Sequence, residues 1–243
     1  MARSALADET AQTWFSTESE ARYPFGKETS QAVSETAPSE SIVFLVDDDP
    51  SVRASVKELL ESVGLKVIAY GSAAAFLESA IPDSPSCMVL DVRLPEMSGL
   101  KLQEELTKAE IQVPIVFVSG HGDIAMAVRA MKAGAVDFLA KPFSTQDLLD
   151  AVYAALGRAR ARREQEDSLS TLRERFGSLS VREKEVLSHV ASGRLNKQIA
   201  ADLGISEVMV KVHRANGMRK THAKSVAELV RMTDLLRSSH SLA

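Results

Sequence analysis

The chain has 243 residues, of which 45% are hydrophobic and 26% charged, a balance that excludes a wholly disordered chain or a fibrous repeat and fits two modest domains or one large one. Its one cysteine, Cys87, excludes a disulfide framework, zinc-ligand spacing and a redox pair, and makes a reducing, cytoplasmic setting the simplest expectation. The formal net charge of -4, from 29 basic and 33 acidic residues, argues against nucleic acid only if the charge is evenly spread.

Residues 1–41 are rich in Ser, Thr, Glu and Ala, carry no sustained apolar period, and read as a disordered tail in which Trp14, Phe15, Tyr23 and Phe25 could form a small docking patch. No stretch approaches the ~18 apolar residues of a membrane span, so no membrane partner is expected. From Ser41 the texture changes to short apolar runs, each followed by a helical period. The runs are Ile42 to Val46, Lys66 to Tyr70, Cys87 to Val92, Pro114 to Val118 and Val136 to Ala140. Val52, Val56, Leu59, Leu60 and Val63 define one apolar helix face, and similar segments span Ser72 to Ser79, Ser98 to Lys108, Asp123 to Ala133 and Thr145 to Leu156. This alternation predicts an α/β, flavodoxin-like, doubly wound five-stranded parallel sheet over 42–157.

Residues 158–179 are charged and helix-favouring, and read as a helical linker with an apolar stripe of Leu169, Leu172, Phe176 and Leu179. Over 180–243 only helix signals remain. Ser180 and Glu183 form a capping box, Gly193 and Gly204 mark stops, and Asn196, Ser206 and Ser225 are the expected starts of three further helices. The tight turn Leu203-Gly204-Ile205-Ser206 makes this all-α four-helix unit a helix-turn-helix.

In an open α/β sheet, ligands collect beyond the carboxyl ends of the strands, near the point where strand order reverses. Asp47, Asp48 and Asp49 follow the first strand, Asp91 ends the third, Ser119 the fourth and Lys141 the fifth. Clustered carboxylates demand a cation, and Mg2+ is hard, oxygen-seeking and content with one or two carboxylates plus a phosphoryl group. A carboxylate beside such a metal can attack phosphorus once the transferring charge is neutralised. Lys141 would add positive charge opposite, and Ser119 could hydrogen-bond the new phosphoryl oxygens.

The strings VDDDPSVR at 46–53, LDVRLPEMSGL at 90–100, SGHGD at 119–123 and MKAGAVDFLAKPF at 131–143 resemble the receiver domain of bacterial two-component response regulators. NKQIAADLGIS at 196–206 and VKVHR at 210–214 resemble the LuxR-type DNA-binding domain, and the pair is similar to the FixJ branch of that family. The resemblance implies Asp91 as phospho-acceptor and Asp47 and Asp48 as the acidic pair. Mg2+ would be held by these carboxylates with the main-chain carbonyl of Arg93. Ser119 stands at the switch hydroxyl, Phe138 at the rotating aromatic and Lys141 at the invariant lysine, with a cis bond to Pro142. Asp49 is assigned to local hydrogen bonding, and His121 to the loop. The implied partners are a sensor histidine kinase as phosphohistidine donor, double-stranded promoter DNA, RNA polymerase, and a second copy on phosphorylation. The chain would be no enzyme beyond catalysing its own phosphorylation and dephosphorylation.

Charge supports the DNA assignment. From Ser180 to Ala243 there are eleven Lys or Arg and six Asp or Glu, a net of +5, which leaves -9 for the rest of the -4 total. The first turns of the second helix of such a motif enter the major groove, so Lys211 is placed to bridge guanine acceptors, and Val212 and Ala215 to touch thymine methyls. Arg214, Asn196 and Lys197 suit phosphates, and Lys220 is a further expected DNA-binding residue. Met209, Gly217 and Thr221 depart from the family pattern, and Gly217 is expected to forfeit packing inside the recognition helix. Two rivals remain. Asp47, Asp49 and Ser51 also fit the nucleophile motif of haloacid-dehalogenase-like phosphatases, although Asp147 and Asp150 are spaced as a helix face rather than as its acidic pair. The other is a LuxR-like factor that acts without phosphorylation.

Overall fold

The computed structural model describes residues 41–120 and 124–240; the expected tail before Ser41, with its aromatic residues, and His121 lie outside the described residues. Two compact units meet in the chain between Glu164 and Gln165.

In the first unit β1 (Ile42–Val46), β2 (Lys66–Tyr70), β3 (Ser86–Asp91), β4 (Ile115–Ser119) and β5 (Asp137–Ala140) form one parallel sheet in the order β2-β1-β3-β4-β5. Residues of β1, β3 and β4 are buried throughout, which is why these strands read as unbroken apolar runs rather than alternating ones. α1 (Pro50–Ser62) and α5 (Thr145–Gly177) lay Val56, Leu60, Leu148, Val152 and Ala155 against Val43, Leu45, Val89 and Val116. α2 (Ala73–Leu77), α3 (Gly99–Lys108) and α4 (Ile124–Lys132) cover the other face, where Phe76, Leu102, Leu106 and Ala130 meet Phe44, Leu90 and Phe117. Each fully buried side chain of this size contributes about 1.5–3 kcal/mol. Ser72 and Ser98 cap α2 and α3 by accepting the amides of Ala75 and Lys101 at 3.2 and 3.3 Å. Val63, expected on the apolar face of α1, is 41% exposed because the helix ends at Ser62 and the chain turns at Gly64.

The helix expected over Thr145 to Leu156 and the linker expected over 158–179 are one helix, α5. Gly157 weakens its middle, at a propensity cost of about 1 kcal/mol, and three arginines tie its continuation to the first unit. Arg160 donates to Ser41 Oγ from Nε at 3.2 Å and Nη2 at 2.8 Å, Arg162 donates to the main-chain carbonyl of Gln112, and Arg163 Nη1 meets Asp83 at 2.6 Å.

The second unit is all helical: α6 (Val181–Ala191), α7 (Asn196–Leu203), α8 (Glu207–Thr221) and α9 (Val226–His240). Val186, Leu187, Val190, Ile199, Val210 and Leu229 make its core. Phe176 and Leu179 of the expected stripe are buried there, while Leu169 and Leu172 are half-buried. Asn196 is not the cap of α7. Leu195 occupies that position and Asn196 is the first helical residue, because Gln198 Oε1 reaches back to accept the Leu195 amide at 2.9 Å. Gly204 ends α7 at φ +64°, a left-handed turn that glycine adopts without steric cost.

The capping box at Ser180 is present and has a third member. Glu183 Oε2 accepts the Ser180 amide at 2.8 Å and also takes Lys220 Nζ at 2.7 Å. Lys220, with help from the Ser180 amide, holds the Glu183 carboxyl below its ordinary value of 4.5, against the opposing effect of burial. Glu183 therefore contributes stability that is complete above about pH 4.5 and is lost as pH falls through its lowered folded value. Glu183→Gln should cost the second unit about 1–2 kcal/mol at neutral pH. Hydrogen exchange of α6 amides in both proteins checks this. The gap between them should close on acidification, and a gap independent of pH would refute the assignment to charge.

Candidate functional site

The carboxyl ends of β1, β3, β4 and β5 bring Asp47, Asp91, Ser119 and Lys141 to one rim, at the β1/β3 boundary where strand order reverses. Lys141 Nζ lies 2.7 Å from Asp47 Oδ2 and 2.6 Å from Asp91 Oδ2. Asp48 joins them, with one carboxylate oxygen from each of the three aspartates within 4.8 Å of the others, and is the exposed member of the set. Burial pushes the Asp47 carboxyl up from its ordinary value, and Lys141 only partly offsets this. Burial also works against the Lys141 charge, but its bonds to Asp47 and Asp91 outweigh it and hold the amine above its ordinary value.

The acidic loop is tied on every side but one. Asp47 Oδ1 accepts the Asp49 amide at 2.9 Å, and Asp49 Oδ1 caps α1 by accepting the amides of Ser51 and Val52 at 2.8 and 3.3 Å. Asp91 Oδ1 accepts the Arg93 amide at 2.8 Å, so the two Asp91 oxygens are fixed by Arg93 on one side and Lys141 on the other. Asp48 is exposed beside them. Three clustered carboxylates with one exposed form an oxygen-rich donor set that suits Mg2+.

Ser119 is fully buried at the end of β4, and its carbonyl accepts the Lys141 amide at 2.8 Å. Phe138 on β5 is half-buried, with its ring centroid 6.4 Å from that of Phe117. The Lys141-Pro142 bond is cis. At the opposite end of β3, Cys87 is buried and its thiol is pushed up to about 12, which makes it unreactive.

Two residues at this rim carry no role in the sequence reading. Gly99, first in α3, packs so tightly that a Cβ would lie 2.3 Å from the Asp91 carbonyl oxygen. Arg53 on α1 donates from Nη1 to the main-chain carbonyl of Asp47 at 2.6 Å. Each lies inside one of the quoted strings, but only folding brings it to the acids.

In the second unit α8 turns Val210, Gly217 and Thr221 inward. Its other side exposes Val208, Lys211, Val212, Ala215 and Arg219, a stripe at helical spacing that includes three of the expected base-facing residues. Val208, at 68% exposure, lies on this same face in the first turn of α8. Lys197 is exposed at the start of α7, and Arg214 Nη1 meets Asn196 Oδ1 at 3.3 Å, which joins two of the expected phosphate-binding residues across the motif. Lys220 departs from the expected set, because it is committed to Glu183 and to the Ser178 carbonyl, at 2.7 and 3.3 Å.

Gly217 forfeits no packing. A Cβ there would lie 2.8 Å from Leu187 Cδ1, so Leu187 of α6 already fills the space that a larger residue would take. Buried Thr221 is likewise satisfied, with Oγ1 donating to the Gly217 carbonyl at 2.9 Å. Ser206 caps α8 through the Met209 amide at 3.3 Å, so Met209 leaves the cap intact.

Residues 43–153 match the family model described as response regulator receiver domain, and residues 177–233 match that of bacterial regulatory proteins, luxR family. The chain is 53% identical to nodulation protein W of Bradyrhizobium diazoefficiens over 82% of its own length and 88% of that protein's. It is 48% identical to the transcriptional regulatory protein FixJ of Azorhizobium caulinodans, over 78% and 90% of the two chains. Its fold is similar to the solved structure of the response regulator StyR, with a TM-score of 0.74 and 48% identity over 80% of this chain and 98% of that one. Asp49, the second carboxylate of the phosphatase motif, caps α1 through Oδ1.

Proposed function

The chain belongs to the response regulators that couple a receiver domain to a LuxR-type DNA-binding domain, and from that premise we propose that it is a transcriptional regulator switched by phosphorylation of Asp91. The observation that carries the reading is Lys141 bridging Asp47 and Asp91 at 2.7 and 2.6 Å, with Asp48 exposed beside them. A sensor histidine kinase in the cytoplasm supplies the phosphoryl group. An Asp91 carboxylate oxygen forms the bond to phosphorus as the bond to the kinase imidazole breaks, and that nitrogen leaves with its electron pair. Arg93 and Lys141 hold the acceptor carboxylate in place for this step. Asp47, Asp48, Asp91 and the main-chain carbonyl of Arg93 would hold Mg2+, which supplies charge neutralisation on the phosphoryl oxygens when bound.

Once phosphorylated, Asp91 presents new oxygens to Ser119 and Lys141, and the change passes to the sheet edge at Phe138. Two copies then pair and set two α8 helices on promoter half-sites about one helical turn apart, from which they act on RNA polymerase. Lys211, Val212 and Ala215 read base edges, while Asn196, Lys197 and Arg214 take phosphates.

Acetyl phosphate with Mg2+ tests the acceptor: the intact protein should gain one phosphoryl group, and Asp91→Asn should gain none. Promoter affinity should rise about tenfold on phosphorylation, within the usual range of coupling between sites, and Asp91→Asn should lose that gain. Unchanged promoter occupancy and pairing in Asp91→Asn under phosphorylating conditions would favour the phosphorylation-independent reading instead.

A further inference from the structure

We propose that Arg53 is a positioning residue for the acidic pocket, fixing the peptide that carries Asp47 and Asp48 and so setting the pocket's affinity for a divalent cation; this rests on the receiver reading above. Arg53 sits in the first turns of α1, where its amide donates to the Asp49 carbonyl at 2.9 Å as part of the helix. Its guanidinium turns back over the loop and donates from Nη1 to the Asp47 carbonyl at 2.6 Å. The guanidinium lies against Gly71, where a Cβ would stand 3.6 Å from Nη1, so the turn after β2 leaves it room.

These bonds close a circuit. The Asp47 amide bonds to the Tyr70 carbonyl at 3.2 Å, its Oδ1 to the Asp49 amide, and its Oδ2 to Lys141. The carbonyl of Asp47 is the fourth tie, and among the described residues Arg53 supplies it. That carbonyl belongs to the peptide leading into Asp48, the exposed carboxylate of the three. The direction of Asp48 is therefore set by its backbone, and the backbone by Arg53.

Strand order places Arg53 on the β2 side of the cluster, whereas Lys141 comes from beyond β5. Lys141 touches the acceptor carboxylate and Arg53 touches only main chain, so the two cations have different consequences. If Arg53 acted merely as a nearby positive charge, its removal would tighten cation binding. If it positions Asp48, its removal weakens cation binding, because a ligand set that must be ordered on binding loses affinity.

Arg53→Met keeps the bulk of the side chain without its donors, and Arg53→Lys keeps the charge without the planar fork. Calorimetric titration of the full chain with Mg2+ should show affinity about tenfold weaker in Arg53→Met, the lower end for residues that orient metal ligands, with Arg53→Lys between. Hydrogen exchange without metal should be faster at the amides of residues 48–49 in Arg53→Met, with α5 and the second unit unchanged. Unchanged or tighter Mg2+ binding in Arg53→Met overturns the proposal. So does unchanged exchange at the loop. Absence of Mg2+ binding in the unaltered protein would instead refute the receiver reading of the pocket, and the exchange comparison still decides whether Arg53 holds the loop.

Discussion

Lys141→Met should destabilise the first unit by about 3 kcal/mol at neutral pH without divalent metal, and Mg2+ should return much of the loss. Asp47 is 0% and Asp91 10% exposed at the side chain, and both depend on one amine for compensation. Breaking a buried pair by removing one partner costs about 3–5 kcal/mol, and the lower figure applies because Lys141 keeps 20% exposure. Two carboxylates left together in a dry site repel each other, so they should recruit either a metal or a proton. The variant should accordingly recover towards the unaltered protein as pH is lowered, and the double change Lys141→Met with Asp47→Asn should be milder than Lys141→Met alone. Thermal melts with and without Mg2+, repeated across pH, measure all three effects. A variant whose melting is indifferent to Mg2+ would show that the three aspartates do not form a metal-binding set.

The parts of the molecule legible in the sequence are those written in local pattern. Buried parallel strands must be apolar on both faces, so β1 and β4 appear as unbroken runs, and helix starts announce themselves through Ser72, Ser98, Ser180 and Ser206. The rim of the sheet follows from these, because whatever comes after a strand in this topology lies near the switch point. What escaped the reading depends on which surfaces face each other. Lys220 looks like a free DNA-contacting cation until α6 brings Glu183 to it, and Gly217 looks like a defect until Leu187 occupies its space. The extent of α5 is hidden for the same reason. Ser41, Asp83 and Gln112 hold its arginines, and those three residues are dispersed along the chain.

Gly99→Ala should slow phosphorylation of Asp91 about a hundredfold, the scale expected when reacting groups are misplaced by about 1 Å. On helix propensity alone the change should help, by up to about 1 kcal/mol. Space decides otherwise. A Cβ at position 99 would lie 2.3 Å from the carbonyl oxygen of Asp91 and 3.1 Å from Leu90 Cγ. The nearer atom is main chain of the acceptor itself and cannot rotate away. Relief requires α3 to move off β3 or the Asp91 peptide to tilt, and either motion strains the bond from the Gly99 amide to the Val92 carbonyl at 2.9 Å. The Asp91 carboxylate, fixed between Arg93 and Lys141, would then no longer align with an incoming phosphoryl group. An overpacked site of this kind costs about 1–3 kcal/mol in stability, too little to unfold the unit, so the rate can be measured on folded protein. Gly157→Ala in α5, where nothing lies within 4 Å, is the control that separates clash from propensity and should stabilise the chain slightly. Acetyl phosphate labelling of both variants gives the comparison, and a Gly99→Ala protein that is phosphorylated at the unaltered rate would show that the acceptor loop tolerates displacement.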